Sequence, residues 1–256
     1  MGLVVILNSK FESMKRSSVL LYLILLLPSQ LLYAQKDSSN AKQVLRINLP
    51  AIIFRNISVE YERKLNFRHS LTLNIHVIPY GSLPFQSEAQ KLIDKVYVDM
   101  NLAKVGSVGA TASYRFYGRK GVFHGFYFAP MINYDSYKTA LPIQYNNGKT
   151  GIFTGNINAV TAGVQLGYQC ALARNIYLDL WIVGPSYGLS FGNLNFNGPL
   201  TINDQAILSG EIEDLRGSLP IYVISSYKVS ASGASIVEQG PWAGLRGLGI
   251  NVGFRF

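Results

Sequence analysis

The chain has 256 residues and a formal charge of +9; nearly half of it is apolar, 14% is charged, and Tyr and Phe are abundant. So few charges among so many apolar residues exclude a disordered chain and suit one with much half-buried sheet. The basic balance fits an anionic membrane surface, and the export implied by the first segment excludes nucleic acid as a partner.

Residues 1–34 read as a cleavable signal peptide. Lys15-Arg16 precede an apolar run from Val19 to Leu27, broken by Pro28, and Leu32-Tyr33-Ala34 approximates a small-residue cleavage site. The run is well short of the roughly 20 residues a transmembrane helix needs. Gln35, not Cys, follows Ala34, so no lipid anchor is expected. Residues 35–43 read as a flexible lead-in, and 44–256 as one domain. Cys170 is the single cysteine, which leaves no internal disulfide.

From Val44 the side chains alternate with the period of a strand. Leu45, Ile47 and Leu49 oppose Arg46 and Asn48. After a bend over Pro50–Asn56, Ile57, Val59 and Tyr61 oppose Ser58, Glu60 and Glu62. A polar turn at Lys64–Arg68 leads to Leu71, Leu73, Ile75 and Val77, opposed by Thr72, Asn74 and His76. Pro79 is expected to end this third strand. Tyr80–Lys104 is a long connection with a short helix over Glu88–Tyr97. The fourth strand sets Val108, Ala110, Ala112, Tyr114 and Phe116 against Ser107, Gly109, Thr111, Ser113 and Arg115. Gly118–Gly121 is a tight turn, and the fifth strand runs from about Phe123 to Tyr137.

Lys138–Asn156 reads as a second long connection, with a turn signal at Asn146-Asn147-Gly148. The sixth strand carries Val160 to Tyr168, and the seventh, after a turn at Ala173–Asn175, carries Ile176 to Ile182. Gly188–Ala243 is the longest connection, with Ile221–Val229 able to extend the sheet as a hairpin. The last strand sets Leu248, Ile250, Val252, Phe254 and Phe256 against Gly249, Asn251, Gly253 and Arg255.

These observations predict an all-β fold: an eight-stranded antiparallel up-and-down transmembrane β-barrel with short periplasmic turns and long outer loops. A soluble barrel with its apolar face inward is the competing architecture. Against it, the polar faces are rich in Gly, Ser and Thr and poor in Lys and Glu. Aromatic residues also gather near strand ends (Tyr61, Tyr80, Tyr114, Phe116, Phe123, Tyr134, Tyr137, Tyr168, Tyr187, Phe254 and Phe256), as interfacial girdles do.

A signal peptide, eight amphipathic strands and a terminal aromatic resemble small outer-membrane barrels of the OmpA/OmpX type. Ile47-Asn-Leu-Pro50, Ser58-Val-Glu-Tyr-Glu-Arg63, Gly125-Phe-Tyr-Phe-Ala-Pro130 and Gly167-Tyr-Gln169 resemble, more narrowly, an uncharacterised family of such barrels from Bacteroidota. The resemblance implies an outer-membrane location in a Gram-negative bacterium. It also implies that Val252, Phe254 and Phe256 are the signal read by the barrel-assembly machinery, and it carries no activity.

Inward polar faces would bring Arg46, Glu60, Glu62, Arg115, Asp179 and Arg255 into one lumen. Such charges must pair, so a salt-bridged plug is expected, with Glu62 as partner of Arg255. A narrow channel through it is the alternative. Arg63, Lys64, Arg68, Arg119, Lys120 and Arg174 all fall at the short periplasmic turns, where they would meet inner-leaflet phosphates; outer-membrane lipids and lipopolysaccharide are the expected partners of the barrel as a whole. The connection 188–243 is the expected surface for an extracellular ligand. Chemistry has weak footing. His76 beside Ser58 and Glu60 is the one arrangement a lipid-modifying enzyme could use. If Glu60 lies opposite Thr72, Ser58 lies opposite Asn74, near His76. Metal-ligand spacing, a phosphate loop and a nucleophile elbow are missing, so no cofactor is expected.

Overall fold

The computed structural model describes residues 42–82, 102–145, 149–218, 224–247 and 249–256. The signal peptide, most of the lead-in, the expected helix over Glu88–Tyr97, the Asn146–Gly148 turn and Leu248 lie outside the described residues. The fold is all-β with two helices. Ten antiparallel strands form one sheet that closes into a ring.

The strands are β1 (Gln43–Asn48), β2 (Ile57–Lys64), β3 (His69–Ser82), β4 (Lys104–Tyr117), β5 (Gly125–Tyr145), β6 (Lys149–Ala171), β7 (Ile176–Asn197), β8 (Ile224–Ser230), β9 (Gly233–Arg246) and β10 (Gly249–Arg255). Each of β1 to β7 pairs with its sequence neighbour. The ring closes because β10 pairs with β1 on one side (Ile47 opposite Val252) and with the first half of β7 on the other (Leu178 opposite Val252). β9 pairs with the second half of β7, and β8 pairs with the far end of β9.

Among the described residues, strand extends into three expected connections. β3 runs through Pro79 to Ser82, its pairing to β4 shifting between Ile78 and Gly81. Proline is tolerated at such an irregularity, where a ladder hydrogen bond is already missing. Lys138–Asn156 is no loop: β5 and β6 pair continuously up to Tyr145 opposite Lys149. Gly188–Ala243 holds the rest of β7, helix α2 (Ile202–Ser218), β8 and most of β9. The bend over Pro50–Asn56 holds helix α1 (Leu49–Ile53), with Pro50 in its first turn and the Asn48 side chain accepting from the Ala51 amide at 3.1 Å.

Burial in the ring is inverted relative to a water-soluble domain. Leu45, Ile47, Val59, Leu71, Leu73, Ile75, Val108, Phe128, Ile132, Val160, Leu166 and Ile250 are exposed, while Arg46, Glu60, Glu62, Arg115, Gln165, Gln169 and Asp179 are buried. Gly253 allows this crowding, because a Cβ there would overlap Arg46 Cγ. An apolar cluster runs from the short-turn end, where Val122, Phe123 and Tyr177 close the interior, through Val44, Tyr117, Tyr127 and Ala129 to Trp181. Phe123, expected in an outer girdle, is instead turned inward at a positive φ of 74°. Tyr137, expected in the girdle at the other end of the fifth strand, shares the inward parity of Met131 and Asn133 and is half-buried.

Past the ring, β5, β6, β7 and β9 rise as a lobe, and the chemistry of both faces reverses. The outward face changes from Tyr134, Val160 and Leu189 to Lys138, Asn156 and Asn193. The inward face changes from Asn133 and Thr161 to Ile143, Tyr145 and Phe153. α2 covers that apolar face with Leu208 and Ile212, both fully buried. Its start is a capping box. Asp204 N donates to Thr201 Oγ1 at 3.2 Å, and Thr201 Oγ1 and the Thr201 amide donate back to the Asp204 carboxylate at 2.8 and 3.2 Å. Lys149 adds a salt bridge to the same carboxylate at 3.1 Å.

Candidate functional site

The interior of the ring holds two polar features, one above the other. The lower one is a cluster of five fully buried charges. Strand alternation places Arg46 on β1, Glu60 and Glu62 on β2, Arg115 on β4 and Asp179 on β7 with their side chains inward. Arg46 Nη1 lies 2.8 Å from Glu60 Oε1 and 3.7 Å from Asp179 Oδ2, and Arg46 Nη2 pairs with Glu62. Arg115 spans the interior, at 2.6 Å from Glu60, 3.0 Å from Glu62 and 2.8 Å from Asp179.

Neutral groups complete the cluster. Tyr127 donates to Asp179 Oδ1 at 2.8 Å, and its ring lies 4.3 Å from the Arg115 guanidinium carbon. Tyr117 and Ser70 both donate to Glu62 Oε1. The Tyr117 hydroxyl has one proton and two neighbours, Glu62 and Gln169. A Gln169 amide that presents its nitrogen serves as donor to the hydroxyl, so both contacts are satisfied. Three carboxylates facing two guanidiniums leave one negative charge, and these hydroxyls disperse it.

Arg255 is outside this cluster. It shares the inward parity, but Val44 stands level with it and with Glu62, between the two strands. Arg255 Nη1 donates to Tyr177 Oη at 2.8 Å, and the guanidinium packs over the Phe123 ring at 5.1 Å. The expected pairing with Glu62 is therefore replaced by an aromatic seat at the turn end.

The upper feature is a chamber toward the lobe. His76 Nε2 lies 2.9 Å from Asp135 Oδ1 there. Gly109 makes room for the pair, since a Cβ at this position would overlap both side chains. Arg246 of β9 reaches into the same space, with Nη2 donating to Asn74 Oδ1 at 3.0 Å and Nη1 to Gln165 Oε1 at 3.3 Å. Its guanidinium lies over the Trp181 ring at 4.1 Å. Two adjoining cavities of about 310 and 290 Å³ share Asn56, His76, Leu245 and Arg246.

Of the two residues grouped with His76, Ser58 shares the chamber with it and Glu60 does not. Ser58 lies directly opposite His76, and Glu60 opposite Asn74, a register two residues from the expected one. Ser58 Oγ accepts from Asn74 Nδ2 at 2.9 Å, and Glu60 is committed to the arginines below. The carboxylate that meets His76 is Asp135. Both Asp135 and Arg246 escaped the sequence reading. Asp135 was findable, because it keeps the inward parity of Met131 and Asn133. Arg246 sits among Gly244, Gly247 and Gly249, where no alternation can be read.

Comparison with protein-family models, curated proteins and solved structures finds no match to this chain. The geometry stands alone. At the turn end, Arg63, Arg68, Arg119, Lys120 and Arg174 are exposed and Lys64 is half-exposed. Val252 and Phe254 take the outward parity of β10, and Phe256 beyond it is exposed.

Proposed function

We propose that this chain is an eight-stranded outer-membrane β-barrel with a plugged polar lumen, and that its role is structural or through surface contacts of the lobe. The observation that carries this reading is the inverted burial. An exposed apolar belt wrapped around buried ions is costly in water and favourable in hydrocarbon. Ten strand segments fit eight ring positions when β9 and β10 share one position and β8 lies above the ring. Along β6, Cys170 to Val160 spans about 33 Å of strand, or about 25 Å across a bilayer at the usual tilt. The resemblance of the sequence to OmpA/OmpX-type barrels points the same way.

The buried ion cluster across the interior favours a closed scaffold over a channel. Its turn end holds inner-leaflet phosphates with Arg63, Lys64, Arg68, Arg119, Lys120 and Arg174. Val252, Phe254 and Phe256 guide assembly by the barrel-assembly machinery, and the ordered lobe, not a free loop, is the contact surface for an external partner.

The test uses a Cys170→Ala background with a nitroxide at Ala112 or Ser113, which are exposed and buried neighbours on β4. In reconstituted protein the Ala112 label should be relaxed by lipid-soluble oxygen and the Ser113 label should not. The reverse pattern, or a protein that stays in the aqueous fraction and shows no heat-dependent gel shift, overturns the barrel. Steady conductance in planar bilayers overturns the plug.

A further inference from the structure

Among the described residues, the wall of the ring has a gap. β1 stops at Asn48, opposite Asn251 of β10. Above that level, β9 from Gln239 to Arg246 pairs with β7 alone, since its pairing to β8 begins at Glu238. Across the gap, Ile57 and Ser58 of β2 pair with β3 alone. No strand among the described residues joins the two edges, and α1 lies in the space. Arg55, just after α1 at a positive φ of 59°, fastens it to β3 by donating to the carbonyls of Ser82 at 2.6 Å and Pro79 at 3.1 Å.

The gap leads from an apolar outside to a polar inside. Ile52, Ile53 and Phe54 of the α1 segment are exposed, as are Ile57 and Leu245 on the flanking strands. Directly behind them lies the 310 Å³ cavity. Pro50, Ala51 and Phe54 line its outer side, and His76, Trp181 and Arg246 line its inner side. Two features of the inner side call for an anion. Arg246 carries a cation whose hydrogen bonds are to the neutral amides of Asn74 and Gln165. Trp181 is 4% exposed, and its indole N–H is buried without a partner, which is costly for a donor.

We propose that this gap is a lateral portal for a long-chain fatty acid. The carboxylate would accept from Arg246 and the Trp181 indole, and the chain would leave between α1 and β9 to lie along the apolar outer surface. A carboxylate is the anionic head that fits: the cavity holds a compact group with its first carbons, and a charged acceptor suits a guanidinium and an N–H donor together. The inference rests on the membrane-barrel reading, because only lipid brings such a chain to the portal.

The test reads Trp181 fluorescence in the full chain carrying Trp242→Phe, reconstituted in phosphatidylcholine vesicles and titrated with 2-bromohexadecanoic acid. Saturable quenching is expected. It should weaken roughly tenfold in Arg246→Gln, as loss of one charge-assisted bond implies. Ala51→Trp, read by competition with unlabelled hexadecanoate in radiolabelled binding, should block the portal without touching Arg246. Hexadecanol should not compete. Protein that fails to float with the vesicles overturns the membrane reading and the portal together. Protein that floats yet shows quenching linear in lipid content, or equal in wild type and Arg246→Gln, overturns the portal alone. Competition by lysophosphatidylcholine as strong as by hexadecanoate overturns the fatty-acid assignment.

Discussion

Replacing Arg115 with Met tests whether the buried cluster holds the ring together. Arg115 touches all three carboxylates at 3.0 Å or less, and every side chain concerned is essentially inaccessible. Without it, Arg46 alone would face Glu60, Glu62 and Asp179. Removing one partner from a buried ion group costs about 3–5 kcal/mol, because the charges left behind have no water to turn to. With a urea dependence of about 2 kcal/mol per molar, the unfolding midpoint should fall by about 2 M. The assay is urea unfolding of vesicle-reconstituted protein, followed by the gel shift between folded and heated forms. Arg255→Met is the control. Its loss includes the hydrogen bond to Tyr177 and contacts with the Phe123 and Tyr177 rings, about 1–2 kcal/mol and so under about 1 M. The double variant Arg115→Met with Asp179→Asn removes one charge of each sign. It should recover a good part of the loss, since neighbours in one network are not additive. Equal shifts for Arg115→Met and Arg255→Met, or an additive double variant, would refute the cluster as the element that holds the ring.

Three further outcomes are expected. Gly109→Val should drive His76 and Asp135 apart, lowering stability by about 1–3 kcal/mol and removing a downfield imidazole N–H resonance. Leu208→Ala should cost the lobe about 2–5 kcal/mol, seen as faster hydrogen exchange in α2 and β8 with protection in β1 to β4 unchanged. Burial raises the proton affinity of Glu238 in the folded lobe above its ordinary value, despite the bond from Ser190. The folded state therefore binds the extra proton. That contribution is complete below the ordinary glutamate range, and it is lost as pH rises through the raised value. Relative to Glu238→Gln, wild-type exchange in β9 should therefore quicken as pH rises above the ordinary glutamate range; a difference that stays constant with pH would count against it.

The ring was legible because it obeys one rule along its whole circumference. Leu71, Leu73, Ile75 and Val77 against Thr72, Asn74 and His76 can only be a strand with two different solvents. The lobe was illegible because the rule reverses there. Asn156, Asn158, Asn193 and Asn195 on an outward face read as loop, and Ile143 and Phe153 on the inward face lost their partners in the pattern. The irregular pairing of Leu166 and Gly167 with Val183 and Trp181 hid β7 further, since one extra residue flips the parity of all that follows. α2 was readable and was missed. Thr201-Ile-Asn-Asp204 followed by Leu208, Ile212 and Leu215 carries both a cap and a helical spacing. In the interior, residue faces were readable but partners were not. Long side chains reach diagonally across the ring, so Glu62 meets Arg46 and Arg115 and misses Arg255, which alternation alone places level with it.

The reversal of the inward face along β5, β6 and β7 bears on the order of assembly. On the proposed membrane-barrel reading, the lower half of each strand has hydrocarbon outside it and the upper half has water. In a chain delivered from the periplasm, the upper half must cross the bilayer to reach its place. Folded, it would carry Lys138, Lys149, Asp204 and a sheet-helix sandwich through hydrocarbon. The hairpin tips must therefore pass as extended chain, and α2 can dock on Ile143 and Phe153 only afterwards. The long strands thus act as a ratchet: once the lobe has closed on the far side, its size alone bars the ring from slipping back.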